Sequence, residues 1–221
     1  MSKSNESVER YRRARELAKQ MNSKLIRYRC PAKDDITKSA RKLTIPMESN
    51  TILFDDELDM AALTDFHFNE MRFGGKRLVD WADAESLGMT VEEARMLESL
   101  RNARAGLYEI GHADPENAII RLTSVLPETG EAIQFSDIGL SESATQLGSI
   151  LAYLRVMRFE DIAMSTGVFF SFPLEDRARL IEEHRRRMWT VKEPEKPLRR
   201  FVFFYRQFRQ HGLQQALNDP V

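Results

Sequence analysis

The chain has little of what catalytic and metal-binding sites are usually built from. It contains one cysteine, Cys30, and four histidines in 221 residues. A single cysteine excludes an intramolecular disulfide and a cysteine-built zinc site. The sequence also lacks the G-x-S-x-G, Walker A and G-x-G-x-x-G motifs, which serve nucleophilic catalysis and phosphate binding. These absences favour a non-enzymatic protein.

Long apolar runs are missing as well. No stretch approaches the roughly 18 apolar residues that span a membrane, and the N-terminal residues lack the apolar core of a secretory signal. The composition is 42% hydrophobic, 9% aromatic and 30% charged, which is typical of a globular chain with enough apolar material for a core. We therefore expect a cytoplasmic protein with no membrane partner and no cofactor.

Charges of opposite sign are separated along the chain, although the net charge is only −1. Residues 1–46 carry a surplus of eight positive charges, residues 47–176 a surplus of fifteen negative charges, and residues 177–221 a surplus of six positive charges. Two explanations are open. The basic ends fold back onto the acidic middle and neutralise it, or they form a basic surface for nucleic acid.

Helical periodicity dominates the first part of the chain, which we predict to be a helical N-terminal region over residues 1–105. Residues 6–25 repeat apolar side chains at spacings of three and four, which predicts a helix. A second helix is predicted from the acidic run 55–57 to the glycine pair 74–75. A third begins at a capping box, Thr90 to Glu93, and runs to about Arg104.

Residues 106–172 show a different pattern, with five short apolar runs separated by turn residues. The runs are 107–110, 118–125, 131–135, 149–157 and 168–172. Five strands in so short a span predict a small antiparallel β-barrel, SH3-like or OB-like, within an α+β protein. Its interior is expected to include Ile120 or Leu122, Ile133 and Leu154. The fourth run is apolar on both faces, so we expect it to be covered on both sides.

Several short segments of residues 97–167 resemble a sequence found in uncharacterised prokaryotic proteins. The similarity begins with a helix rich in arginine and alanine that leads into the strand-like run 107–110. It continues with a turn at 128–131, an Asp-x-Gly-Leu-Ser segment at 137–141 and a Ser-Thr-Gly at 165–167. The resemblance implies a small β-barrel module of unknown activity, and it implies no catalytic residue for this chain.

The C-terminal residues 173–221 are predicted to form helices that pack on the barrel. Pro173 opens a helix that ends near Trp189, and a linker at 192–197 separates it from the segment RRFVFFYRQFRQHG at 199–212. Read as a helix, that segment aligns four aromatic residues at spacings of three and four, which indicates a helix packed on a core. The four residues are Phe201, Phe204, Tyr205 and Phe208.

Phe203 falls outside this stripe and is bordered by arginines. A ring in such a setting can stack on bases while guanidinium groups hold phosphates, and it can also anchor a protein interface. A covered position or a contact with a second copy of the chain explains it as well. The candidate nucleic-acid or partner surface consists of Arg185, Arg186, Arg187, Arg199, Arg200, Phe203 and Arg206.

A cluster of acidic residues is the candidate for a metal site. Hard cations prefer carboxylate ligands, but acids in a first helical turn are favoured by the helix dipole without any metal, so we expect no metal site here. The cluster consists of Asp55, Asp56, Glu57, Asp59, Asp65, His67 and Glu70. We expect a non-enzymatic binding or regulatory protein whose partner is a nucleic acid. The alternatives are a protein–protein adaptor or oligomerising subunit, and a metal-dependent hydrolase or nuclease using these acids.

Overall fold

The structure is a computed structural model that describes residues 3–28, 30 and 35–213. The remaining residues of the predicted N-terminal and C-terminal regions lie outside it. Three short 3-10 turns, Pro115–Asn117, Leu174–Asp176 and Glu193–Glu195, accompany the helices. The helices are α1 (Lys3–Leu25), α2 (Ile36–Leu43), α3 (Glu57–Asn69), α4 (Leu78–Trp81), α5 (Val91–Asn102), α6 (Ile138–Leu147), α7 (Arg177–Met188) and α8 (Lys196–His211).

The strands form two small hairpins and one five-stranded antiparallel sheet. The hairpins pair β1 (Met47–Glu48) with β2 (Thr51–Ile52), and β3 (Arg72–Phe73) with β4 (Lys76–Arg77). The strand order in the large sheet is β7-β6-β5-β8-β9. Its strands are β5 (Arg104–Asp114), β6 (Ile119–Leu126), β7 (Ala132–Ser136), β8 (Ile150–Phe159) and β9 (Ile162–Pro173). The α+β class is therefore confirmed.

The predicted β-barrel is wrong, because the sheet stays open. Strands β7 and β9 are its edges, and no hydrogen-bonded ladder joins them. Strand β7 is only five residues long, and the chain then enters α6, which begins at Asp137 with the side chain accepting a hydrogen bond from Leu140 N. Leu140 and Ala144 of α6 pack on the sheet face that a barrel would have enclosed. A helix thus covers the interior in place of closure.

The expected apolar face of the sheet is nevertheless present. Ile120, Leu122, Ile133 and Leu154 are buried in one cluster beneath α6. Strand β8 is buried on both faces, as its sequence predicts: alternate residues join this cluster, while Leu151 and its neighbours on the other face pack towards α3 and α8. The sheet therefore separates two layers of core.

The predicted starts of the helices agree with the structure better than the predicted ends do. Helix α5 has the expected capping box at Thr90 and Glu93. Helix α3 begins beside the acidic run, capped by Asp56, but it ends at Asn69 and not at the glycine pair. Gly74 and Gly75 have φ angles of 58° and 85° and form the turn between β3 and β4, since glycine adopts positive φ without steric cost.

The segment at 199–212 is helical, and its aromatic stripe lies in the core. Phe201, Phe204, Tyr205 and Phe208 are all buried against strands β8 and β9 and helix α3. Tyr153 of β8 stacks on Phe204 with ring centroids 4.4 Å apart. Among the described helices, none is long and apolar enough to cross a membrane.

Candidate anion-binding cavity

Phe203 does not present its ring to solvent. It is only 5% exposed and contacts Phe204 and the ring of His184 on helix α7. The Arg187 guanidinium lies over the Phe203 ring, 5.7 Å from its centroid. Phe203 therefore does not form the exposed surface for base stacking that its arginine neighbours suggested. Its ring fills the contact between α7 and α8, where the second face of α8 packs on α7.

The arginines of the predicted binding surface lie in different environments. Arg185 forms an ion pair with Glu128 at 2.6 Å, and Arg206 donates to the Lys42 carbonyl oxygen. Arg186 and Arg187 are exposed at the end of α7. Arg199 is exposed and lies near Glu195. Arg200, by contrast, is half-buried and lines a cavity.

Carboxylates of the acidic cluster contact two different arginines, one at each end of α3. Arg209 of α8 pairs with Asp55 and Asp56 at 2.9 and 2.6 Å, and Tyr205 donates a 2.6 Å hydrogen bond to Asp59. Burial, and then this hydrogen bond, raise the pKa of Tyr205 above its ordinary value.

The other acids lie at the far end of α3. His67 contacts the buried Ser39 hydroxyl at 2.8 Å, and Asp65 and Glu70 contact Arg155. Within residues 3–28, 30 and 35–213, no group of three or more His, Cys, Asp or Glu side chains is arranged to hold a metal ion.

The cavity at Arg200 has a volume of about 380 Å³ and draws its walls from five parts of the fold. They are the end of α3, the β3–β4 hairpin with α4, the start of β5, the middle of β8, and the start of α8 with the turn before it. Five arginines line it: Arg72, Arg77, Arg104, Arg155 and Arg200. Two carboxylates, Glu70 and Asp80, are also present, so the walls carry a surplus of positive charge. We call this space the arginine cavity.

Arg155 forms the innermost wall, and the sheet register explains its position. Ala105 of β5 pairs with Arg155, and Leu107 pairs with Tyr153. Paired residues and their neighbours two positions away lie on one sheet face, so Tyr153 and Arg155 point to the same side. Alanine opposite Arg155 leaves room for the guanidinium.

Two buried carboxylates hold Arg155 in place. Arg155 is buried and contacts Asp65 at 3.0 Å and Glu70 at 2.6 Å. Burial alone would lower the arginine pKa, but the two carboxylates outweigh it and raise that pKa. Thr166 and Asn69 also donate hydrogen bonds to Asp65. Because both carboxylates already face a guanidinium, this triad is a fixed charged wall rather than a pair of available acids.

Three arginines of the cavity face no carboxylate among the described residues. Arg72 donates to the Gly75 carbonyl oxygen, and Arg104 donates to backbone carbonyl oxygens near the end of α5. Arg200 has a buried Nε that finds no hydrogen-bond partner in the described part of the chain. Arg77, in contrast, forms a two-point contact with Asp80. Arg72, Arg104 and Arg200 thus form no ion pair with a carboxylate of the described residues.

Buried polar atoms without partners cluster in the walls of the same cavity. The Tyr153 hydroxyl and Asn69 Oδ1 have no hydrogen-bond partner among the described residues, and both residues line the cavity. Burial and the neighbouring Glu70 raise the pKa of Tyr153, so its hydroxyl keeps its proton. Buried polar groups are normally paired, and an unpaired one requires an explanation such as a ligand or ion.

Most of this cavity lies outside what sequence reasoning identified, since only Arg200 belongs to the predicted surface. One sequence feature points to it. Arg155 stands in a run that is apolar on both faces, and a charged residue in such a strand needs a buried partner. The partners, Asp65 and Glu70, are 90 and 85 positions away, which no local pattern reveals.

Comparison with known proteins gives a family without an assigned function. No curated protein and no solved structure matches the chain. A family model does match, over residues 5–218, and its description is a family of unknown function, DUF7986. Since the match spans nearly the whole chain, this protein belongs to the DUF7986 family.

Proposed function

We propose that this protein binds a phosphorylated ligand in the arginine cavity. The observation that carries the proposal is the convergence of Arg72, Arg104 and Arg200, without carboxylate partners, on one cavity that also holds unpaired buried polar atoms. A volume of about 380 Å³ lies within the range of small-molecule sites.

Phosphate suits this cavity better than a neutral ligand does. A guanidinium presents several N–H donors in a planar fork that matches phosphate oxygens, and it stays charged at every physiological pH. Cations from separate elements can contact different oxygens of one phosphate group. The Arg155 triad supports the site from behind, because its fixed geometry keeps the β8 wall in position.

The phosphate has two chemical sources, a small phosphorylated metabolite and the terminal phosphate of a nucleic-acid chain. The second source connects to the basic surface expected from the sequence, since exposed Arg186 and Arg187 lie on α7, which packs against α8. Among the residues that the structure describes, no comparable arrangement of side chains supports an adaptor role or a metal-dependent hydrolase.

The test is a calorimetric titration with pyrophosphate, a nucleoside monophosphate, the matching nucleoside, and a short oligonucleotide with and without a 5′-phosphate. We expect the phosphorylated compounds to bind and the nucleoside to bind far more weakly. A small-molecule source predicts that the free nucleotide binds at least as well as the oligonucleotide. A nucleic-acid source predicts a preference for the 5′-phosphorylated strand.

Substitutions of the cavity arginines test whether pyrophosphate binds in the arginine cavity. Arg104→Gln and Arg200→Gln should each weaken pyrophosphate binding about 10- to 100-fold, the usual effect of losing one hydrogen bond to a charged group. The matched control is Arg199→Gln, which changes the neighbouring exposed arginine outside the cavity. Equal weakening by the control, or no binding of any phosphorylated compound to the folded protein, would contradict the proposal.

A further inference from the structure

A second and larger cavity lies between helices α1 and α3, on the other side of the Arg155 triad. Its volume is about 840 Å³. Asn69 lines both cavities, and Asp65 lines this one while contacting Arg155. We call it the α1–α3 cavity. Its walls differ from those of the arginine cavity, because most of them are apolar.

The floor of the α1–α3 cavity is part of the buried core. Met21 and Leu25 of α1, Met157 of β8 and Val168 of β9 all line it and are all buried. Methionine side chains are flexible and fill irregular space. Such a floor can adjust to a flexible aliphatic chain lying on it.

The mouth of the cavity gathers apolar side chains that solvent reaches. Ile26, Ile36 and Met60 are 57%, 43% and 53% exposed, and all three line the cavity. Large apolar residues scattered singly on a surface need no explanation, but a cluster at one opening indicates a binding site.

Positive charge is confined to one end of the α1–α3 cavity. Arg15 and Lys19 line it on α1, and neither is within ion-pair distance of a carboxylate in the described residues. The apolar mouth residue Ile26 follows the end of the same helix. At the helical rise per residue, Ile26 lies about 10 Å from Lys19 and about 16 Å from Arg15. The cavity therefore has a cationic end and an apolar end.

We propose that the α1–α3 cavity binds an amphiphile that has a carboxylate head and an unbranched aliphatic chain. The head contacts Lys19 and Arg15, and the chain lies along α1 over the methionine-lined floor towards Ile26 and Met60. The carboxylate of Asp65 is already engaged, because Arg155, Asn69 and Thr166 all donate hydrogen bonds to it. This site does not depend on the function of the arginine cavity.

Chain length is the sharpest test. Binding of a series of carboxylates from hexanoate to hexadecanoate is measured by calorimetry, below the concentration at which each forms micelles. Affinity should rise about fourfold with each methylene that becomes buried and should stop rising once the chain exceeds the apolar length of the cavity. Affinity that does not change along the series would overturn the proposal.

The head group is tested with the matching alcohols and with charge variants. The wild-type protein should prefer the carboxylate over the alcohol by about tenfold, and Lys19→Gln and Arg15→Gln should reduce that preference while the chain-length dependence remains. Arg12→Gln is the control, because Arg12 is exposed on the same helix and does not line the cavity. An equal loss of preference in the control would overturn the assignment of the cationic end.

The apolar end is tested with Met60→Gln, which should weaken the long chains more than the short ones. Val91→Gln is its control, because Val91 is 72% exposed and lies away from the cavity. Saturation of the site by an amphipathic peptide, without binding of any carboxylate in the series, would assign the cavity to a protein partner and refute the amphiphile. Melting curves without ligand show which variants remain folded.

Discussion

His184 should make the fold sensitive to acid. It is 6% exposed, and its ring lies between helices α7 and α8 against Phe203 and Phe204. Neither ring nitrogen has a hydrogen-bond partner among the described residues. Burial, and then the nearby positive charge of Arg200, lower the pKa of His184 from 6.5 to about 4. The folded protein therefore keeps this ring neutral at a pH where the unfolded chain protonates it.

The sign and size of the effect follow from proton linkage. Above pH 6.5 the ring is neutral in both the folded and the unfolded state, so protonation of His184 does not lower the free energy of unfolding there. As the pH falls from 6.5 to about 4, the unfolded state binds a proton that the folded state refuses, so the free energy of unfolding decreases. A shift of this size corresponds to a total loss of about 3 kcal/mol, of which about 2 kcal/mol is lost by pH 5.

Urea denaturation at pH 7 and pH 5 measures the effect. His184→Leu removes the titrating nitrogens, so its free energy of unfolding should fall by about 2 kcal/mol less than that of the wild type between the two values. His112→Gln is the control, since His112 is exposed on β5, and it should behave as the wild type does. An identical pH dependence in His184→Leu and the wild type would refute the reasoning.

Two further predictions concern stability. Arg155→Met should lower the free energy of unfolding by about 3–5 kcal/mol, because it leaves Asp65 and Glu70 buried without their cation; an unchanged free energy of unfolding would contradict this. Gly106→Ala should cost about 1–3 kcal/mol, since the added Cβ would lie 2.6 Å from the Leu126 carbonyl oxygen. Thermal melts measure both, and an unchanged melting temperature in Gly106→Ala would contradict the close packing of β5 on β6.

Local sequence patterns predict α1, α3, α5, α7, α8 and the five strands of the large sheet, but they miss α2, α4, α6 and the two small hairpins. Residues 199–212 become a helix because their aromatic spacing matches a single buried face, and α5 begins at its capping box. The barrel could not be predicted correctly, because closure depends on whether the two outermost strands form a hydrogen-bonded ladder with each other. That outcome depends on the shortness of β7 and on α6, which Asp137 starts by capping. An N-cap aspartate followed by an apolar residue at 140 is the feature from which α6 could be predicted.

The candidate site was harder to predict than the fold. The arginine cavity collects side chains from five separate parts of the fold, and each of its arginines except Arg155 looks in the sequence like an ordinary surface charge. Phe203 illustrates a different difficulty, because arginines beside an aromatic residue in sequence are compatible with both an exposed stacking surface and a covered position. On α8 the second face packs on α7, so the ring is buried. Position relative to a neighbouring helix, which sequence spacing does not contain, decides between the two.

The most direct test of the anion-binding cavity is an NMR titration with pyrophosphate that follows the arginine side-chain Nε–H signals. The account predicts that the signals of Arg72, Arg104 and Arg200 shift together and saturate, while those of the exposed Arg199 and Arg206 stay in place. Shifts confined to the exposed arginines of α7 and α8, or no saturable shift in any arginine of the folded protein, would contradict it.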